Sequence, residues 1–309
     1  MGRAWQCYHA AVEAGALTQA LPRPRQRLRP HEVLTAGYLT VTGLLGAGFG
    51  SPGEWWTVVL AHGAAVAVIL YVIPRLPPNR WIDGLRDWLP VFALPLLYVE
   101  VGRLDRLLGT DYHDTTIAAF DRALFGRPGL ALRHLLPWPP LVEYLHFTYV
   151  AYYLLLPLLG GALYLTGRRR EFRYVLAVVL GTFYVCYLCF IVFPVAGPWY
   201  RRPHPIYADV NLFFPGVVQQ VLEHWASKGA AFPSSHVAVA VVIWLLAWRL
   251  ARPVFWLLAF IVPALALGTI YGGFHYTLDV GAGLVVGIAG YMVGPRLVHR
   301  LGGYAPGDP

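Results

Sequence analysis

The run YVLAVVLGTFYVCYLCFIVF, residues 174–193, contains no charged residue. Crossing a bilayer core takes about 20 apolar residues, so this stretch is long enough to span one. Arginines 168, 169, 170 and 173 precede it and FPVAGPWYRRPHP, residues 193–205, closes it, so one end is basic and the other is a Pro/Gly turn. Residues 33–50, 56–73, 141–165, 237–248, 254–271 and 280–293 are similarly apolar. A shorter stretch, 88–101, is interrupted by Pro90 and Pro95 and brings the expected spans to eight.

Composition agrees. Of the 309 residues 57% are hydrophobic and 13% charged, with mean hydropathy +0.53, whereas a soluble domain carries roughly a quarter charged residues. The fold expected is an all-α polytopic transmembrane bundle of about eight spans. It forms one domain over residues 31–300, between a cytoplasmic tail at 1–30 and a disordered tail at 301–309. The N-terminal segment lacks the compact apolar core and cleavage site of a signal peptide. Cys186 and Cys189 form a CxxC inside a span, where small packing residues are the expected role rather than redox or zinc chemistry.

Loops richer in Lys and Arg stay in the cytoplasm. With the N-terminus inside, 16 of the 24 basic residues fall in inside segments and every inside loop is basic. Both termini are therefore expected in the cytoplasm, in a protein of the plasma membrane. The net charge of +8 then reflects arginines facing anionic lipid heads, and no basic and aromatic platform for nucleic acid is present.

Ionisable groups at membrane depth are costly and usually functional. In the C-terminal half they gather at three places on the expected outer side: residues 193–205; AAFPSSHVAVAVV, residues 230–242; and YGGFHYTLDVGAG, residues 271–283. In FPSSH, Pro233 stops the incoming chain, Ser234 is a suitable N-cap, and Ser235 and His236 fall in the first helical turn. A helix N-terminus offers free N–H groups to an anion, although an ordinary cap with an interfacial histidine has the same pattern. In HYTLD, His275 and Asp279 are four apart, which on a helix lets the carboxylate fix one ring nitrogen and leave the other as nucleophile or base. A structural pair, or less readily a metal site, would use the same spacing. Two histidines, an aspartate, two serines and two arginines around one small anion are the parts for phosphoryl transfer with no metal and no cofactor.

AFPSSHVA followed about 40 residues later by HYTLDVGAG, with FDRALFGRPG and LVEYLHFTYVAYY upstream, resembles the type 2 phosphatidic acid phosphatase superfamily, and within it the branch similar to inositol phosphorylceramide synthase. The resemblance runs from about Phe120 to Gly290. It implies a six-helix core in the C-terminal two thirds, at about residues 115–295, and a membrane lipid as substrate. By the same resemblance His275 attacks phosphorus and becomes phosphohistidine, Asp279 orients it, His236 protonates the leaving oxygen, and Ser234 with nearby N–H groups holds the phosphate, with the Ser235 hydroxyl, from its place in the first helical turn, as a further donor.

Two positions depart from the phosphatase pattern. Its Lys-x6-Arg-Pro element is reduced to RRP, with Val195 where the lysine would stand, and Gly268 and Thr269 replace the Ser-Arg ahead of the nucleophile. Charge for the phosphate then falls to Arg201, Arg202 or Lys228. These changes resemble the synthase-like branch, which moves a phospho-headgroup between lipids, so water or an alcohol is the expected acceptor. A lipid-phosphate binding protein or transporter without turnover is the rival reading. DYHD, residues 111–114, reads as a solvated turn or helix cap, and His62 and His146 as packed histidines, His146 with a possible place on the lipid path.

Overall fold

A computed structural model describes residues 26–49, 55–105, 111–201, 212–304 and 306. Each of the eight apolar stretches is helical in its described residues, apart from Phe193 at the end of 174–193. We number the helices α1 (Pro30–Phe49), α2 (Trp55–Ala67), α3 (Arg80–Leu104), α4 (Asp114–Phe125), α5 (Pro128–Leu135), α6 (Pro139–Leu165), α7 (Arg169–Val192), α8 (Phe213–His224), α9 (Ser235–Leu250), α10 (Arg252–Tyr271) and α11 (Thr277–Arg300). Beyond α2 the chain continues through a π-helical turn, Val68–Val72, and a 3-10 turn, Ile73–Arg75. Among the described residues there is no strand; Val195 and Ala230 form an isolated parallel bridge.

The protein is an integral membrane helical bundle. Among the described residues, five stretches are long and apolar enough to cross a membrane: Trp56–Arg75, Pro139–Leu165, Arg169–Val192, Arg252–Tyr271 and Thr277–Arg300. α9 is apolar but shorter, at 16 residues. α1 and α3 are long enough but include polar and charged residues, and α3 continues as one helix through Pro90 and Pro95. The C-terminal two thirds holds five long helices, α6, α7, α9, α10 and α11, with α4, α5 and α8 as short ones.

α7 is the hub. Of its apolar window 72% is buried inside the protein, against 6% for Trp56–Arg75, which leaves the latter facing lipid. Phe172, Val175, Leu176, Val179, Leu180 and Phe190 are fully buried, as befits a helix apolar on all sides. Cys186 is buried and Cys189 partly so, both as free thiols, which is the packing role expected of them.

Lipid tails are as apolar as leucine, so close packing rather than the hydrophobic effect holds such helices together. α11 supplies it with glycines at 283, 287, 290 and 294. A Cβ at Gly283 would lie 2.6 Å from the Ser234 carbonyl oxygen, and one at Gly287 would lie 2.5 Å from that of Ala238. The small residues let α11 lie directly on α9, which brings FPSSH and HYTLD together. α11 ends in a Schellman cap, with Gly302 at φ +73° and the Gly303 N–H donating to Val298 O at 2.9 Å. Of the tail expected at 301–309, residues 305 and 307–309 lie outside the described residues. The tail expected at 1–30 lies outside the described residues up to residue 25.

At the basic end, α1, α3 and α7 are pinned by ion pairs. Arg86 donates to both oxygens of Glu32, at 2.7 and 2.8 Å, and Arg173 to both of Asp87, at 2.8 and 3.2 Å. Arg29 also pairs with Asp87 and with Asp83. Three of the arginines assigned to the inside thus converge on three carboxylates. The far end of α7, about 30 Å away at 1.5 Å per residue, leads into the candidate site.

Candidate active site

α9 starts where Pro233 and Ser234 end the extended chain. Ser234 is extended at φ −61°, ψ 105°, and its hydroxyl accepts from the Val237 N–H at 3.3 Å. It is the N-cap that the Pro-Ser-Ser-His order predicts. Ser235 and His236 occupy the first turn, and Ser234, Ser235 and His236 are all buried.

His275 reaches its carboxylate by a different route from the one its spacing suggests. It lies outside α11, one residue before the N-cap Tyr276, while Asp279 is the third residue of the helix. One oxygen of Asp279 accepts from the Tyr276 N–H at 2.8 Å, half of a capping box, and the same oxygen is 3.5 Å from His275 Nδ1. The cap fold, not a shared helix face, brings the two together. Nδ1 faces the carboxylate, so Nε2 is the nitrogen left for other chemistry.

The two histidine-bearing segments are tied at the backbone, where the Ser234 N–H donates to Asp279 O at 2.9 Å. The rings of His236 and His275 are 5.8 Å apart at 61°. His236 meets two phenol rings of α6: Tyr149 stacks on it at 4.5 Å and 17°, and Tyr152 is tilted against it at 4.3 Å and 39°. Its Nε2 is buried and makes no hydrogen bond. These tyrosines sit in EYLHFTYVAYY, whose periodicity marks an apolar helix and not which face meets a histidine. His146, from the same run, bonds through Nδ1 to Val142 O at 2.7 Å and packs edge-on against Phe274.

Two carboxylates of α4, to which no role was assigned from sequence, complete the frame. Asp114 accepts from the N–H groups of Ala196 and Gly197, at 2.7 and 2.9 Å, and from the Tyr276 hydroxyl at 3.1 Å. Asp121 accepts from the Leu278 N–H at 2.9 Å. Both are buried. DYHD is therefore not simply a solvated turn: its last residue clamps the 194–197 loop to the turn that carries His275. Gly197 at φ +91° is required there, since a Cβ would also lie 2.8 Å from Phe274 O. Seven residues separate the two aspartates, a two-turn spacing on the amphipathic α4 that could have flagged them.

Of the basic candidates, only Lys228 has a described side chain. Lys228 is exposed, its ammonium 5.0 Å from the centre of the Tyr112 ring. Arg201 ends the 3-10 turn Pro198–Arg201, and Arg202 lies outside the described residues. Val195 is fully buried, its N–H donating to Gly229 O at 3.0 Å and its carbonyl accepting from Ala231 at 2.9 Å. At Gly268 a Cβ would lie 2.8 Å from Leu145 O, so that position serves the contact of α10 with α6. Thr269 O accepts from the N–H groups of Phe274 and His275, at 2.9 and 3.1 Å. Among the described residues, no group of three or more His, Cys, Asp or Glu is placed to hold a metal ion.

Residues 115–293 match the family model of the PAP2 superfamily. The chain belongs to the PAP2 superfamily. The match begins in α4 and ends in α11, so it contains both histidines, Asp279 and Asp121 and leaves α1, α2 and α3 outside. PAP2 proteins are generally membrane phosphatases or phosphotransferases, and the paired histidines lie inside the region that defines this one. No curated protein and no solved structure matches the chain.

Proposed function

We propose that this PAP2 protein transfers phosphate or a phospho-headgroup from a membrane lipid through a phosphohistidine at His275. The observation that carries the reading is the convergence of His236 and His275, 5.8 Å apart, with Asp279 at Nδ1 of the second. His275 Nε2 forms a bond to phosphorus as the bond from phosphorus to the lipid alcohol oxygen breaks. The departing oxygen takes a proton from His236. Water or an alcohol then attacks the phosphohistidine and gives its proton back to His236, releasing phosphate or a new phosphodiester.

Ser234, Ser235 and the free N–H groups of the first turn of α9 hold the phosphate oxygens. The positive charge for the phosphate comes from Arg201, Arg202 or Lys228. All charged roles fall to side chains, so the proposed cycle uses no metal. Val195, Gly268 and Thr269 are packed or backbone-paired, which supports a charge arrangement different from the phosphatase pattern. It favours the branch similar to inositol phosphorylceramide synthase, with an alcohol acceptor. The positive-inside bias supports a site on the outer face of the plasma membrane, with both termini in the cytoplasm.

The test is capture of labelled phosphate on the purified protein from a panel of lipid donors, with phosphate release and headgroup exchange measured together. Label on wild type that is lost in His275→Ala supports the mechanism. Wild-type turnover by His275→Ala sinks it, and tight lipid binding with neither label nor turnover would favour a non-catalytic lipid-phosphate binder.

A further inference from the structure

A cavity of about 310 Å³ opens onto Ser235 and His236 and runs away from them between α3, α6, α7, α8 and α9. Its walls are almost wholly apolar. Val91, Leu94, Pro95, Tyr98 and Val99 of α3 form one side, and Ile243 of α9 marks the deep end. Eight residues of helix separate Ser235 from Ile243, so the cavity descends about 12 Å from the histidine along α9. α3 lies outside the 115–293 family match, so this wall is an addition made by the N-terminal part of the chain.

The wall is fixed to the site. The Ser227 hydroxyl donates to Tyr98 O at 2.8 Å and its N–H to the Tyr98 hydroxyl at 3.3 Å. Ser227 leads into Gly229, which accepts from Val195, and Ala231, which donates to it. The outer end of α3 and the loops beside His236 are therefore one connected unit.

We infer that this cavity is the site for one hydrocarbon chain of the substrate lipid, with α3 as the element that measures its length. This rests on the lipid-phosphate reading above. Three observations select that occupant. The polar end of the cavity is at the proposed phosphate site, the rest runs into the apolar interior of a membrane bundle, and the volume is at the small end of ligand cavities, roughly 300–1,000 Å³. That volume suits one chain and not two, so a second chain of a diacyl lipid stays in the bilayer.

A phosphatidic acid carrying a diazirine midway along one chain, photolysed on the wild-type protein in nanodiscs, tests this directly. Crosslinks within residues 91–99 are expected. Crosslinks confined to lipid-facing residues of α2 such as Leu60, or spread over all outer faces, would overturn it. In parallel, Leu94→Trp narrows the cavity, and the ratio of turnover on dihexanoyl to dipalmitoyl phosphatidic acid should rise about tenfold; an unchanged ratio in a folded variant counts against the chain site. Should Leu94→Trp not fold, the wild-type crosslinks decide. Labelled phosphate on His275 is scored separately. Crosslinks on α3 without that label sink the chemistry and keep the chain site, whereas the label with crosslinks elsewhere does the reverse.

Discussion

The bundle has a polar cluster at each end of α7, and they are built on opposite rules. At the basic end Arg29, Arg86 and Arg173 meet Glu32, Asp83 and Asp87, three cations on three carboxylates, each with a hydrogen-bonded partner. At the other end His236 has a buried nitrogen with no hydrogen bond, and His275 stands 3.5 Å from its carboxylate. A buried polar group left unmatched costs free energy, about 1–3 kcal/mol. A cluster that is matched fastens helices, and one that carries such a cost within a family-defining region is kept for something that binds there. The first cluster accounts for how α1 and α3 stay on the core, and the second for where a phosphate would go.

That contrast can be broken at several points. The largest effect is expected from His275→Ala, with turnover lowered about 10³-fold or more while the melting temperature in detergent stays close to wild type. Asp87→Ala should do the opposite. It leaves Arg29 and Arg173 without their shared carboxylate and should cost about 3–5 kcal/mol of stability, read as a lower melting temperature, with phosphate capture preserved in the cold. Asp114→Asn sharpens the comparison from the active side. Losing the clamp between Ala196, Gly197 and Tyr276 should lower kcat about 10²-fold through misplacement of His275, with little change in KM, and Asp114→Glu should not rescue it. Gly287→Ala should cost about 1–3 kcal/mol, because the new methyl meets the Ala238 carbonyl. Lys228→Gln should be the mildest change, at most about 1 kcal/mol from loss of its contact with Tyr112; a large rise in KM would instead single out Lys228, among the three basic candidates, as the phosphate's cation.

Much of the fold was legible because membrane helices write themselves as long apolar runs, and all eight such runs are helical in their described residues, Phe193 apart. Spacing was a weaker guide. His275 and Asp279 do meet, but through a cap and not on a helix face, since Tyr276 takes the N-cap position. The roles of Asp114 and Asp121 were not legible, because each accepts from backbone groups far away in the chain, and a backbone N–H leaves no mark in sequence. Nor could the run EYLHFTYVAYY tell which of its tyrosines would stack on His236.

By itself the sequence determined the helical membrane architecture, the basic end and the N-cap at Ser234. These depend on local composition and on hydrogen bonds within a few residues. Tertiary structure alone decided how close the histidines come, what α4 clamps, and that α3 walls a cavity beside His236. Those outcomes depend on how near two helices can approach, and here the glycines of α11 set that distance against backbone carbonyls of α9.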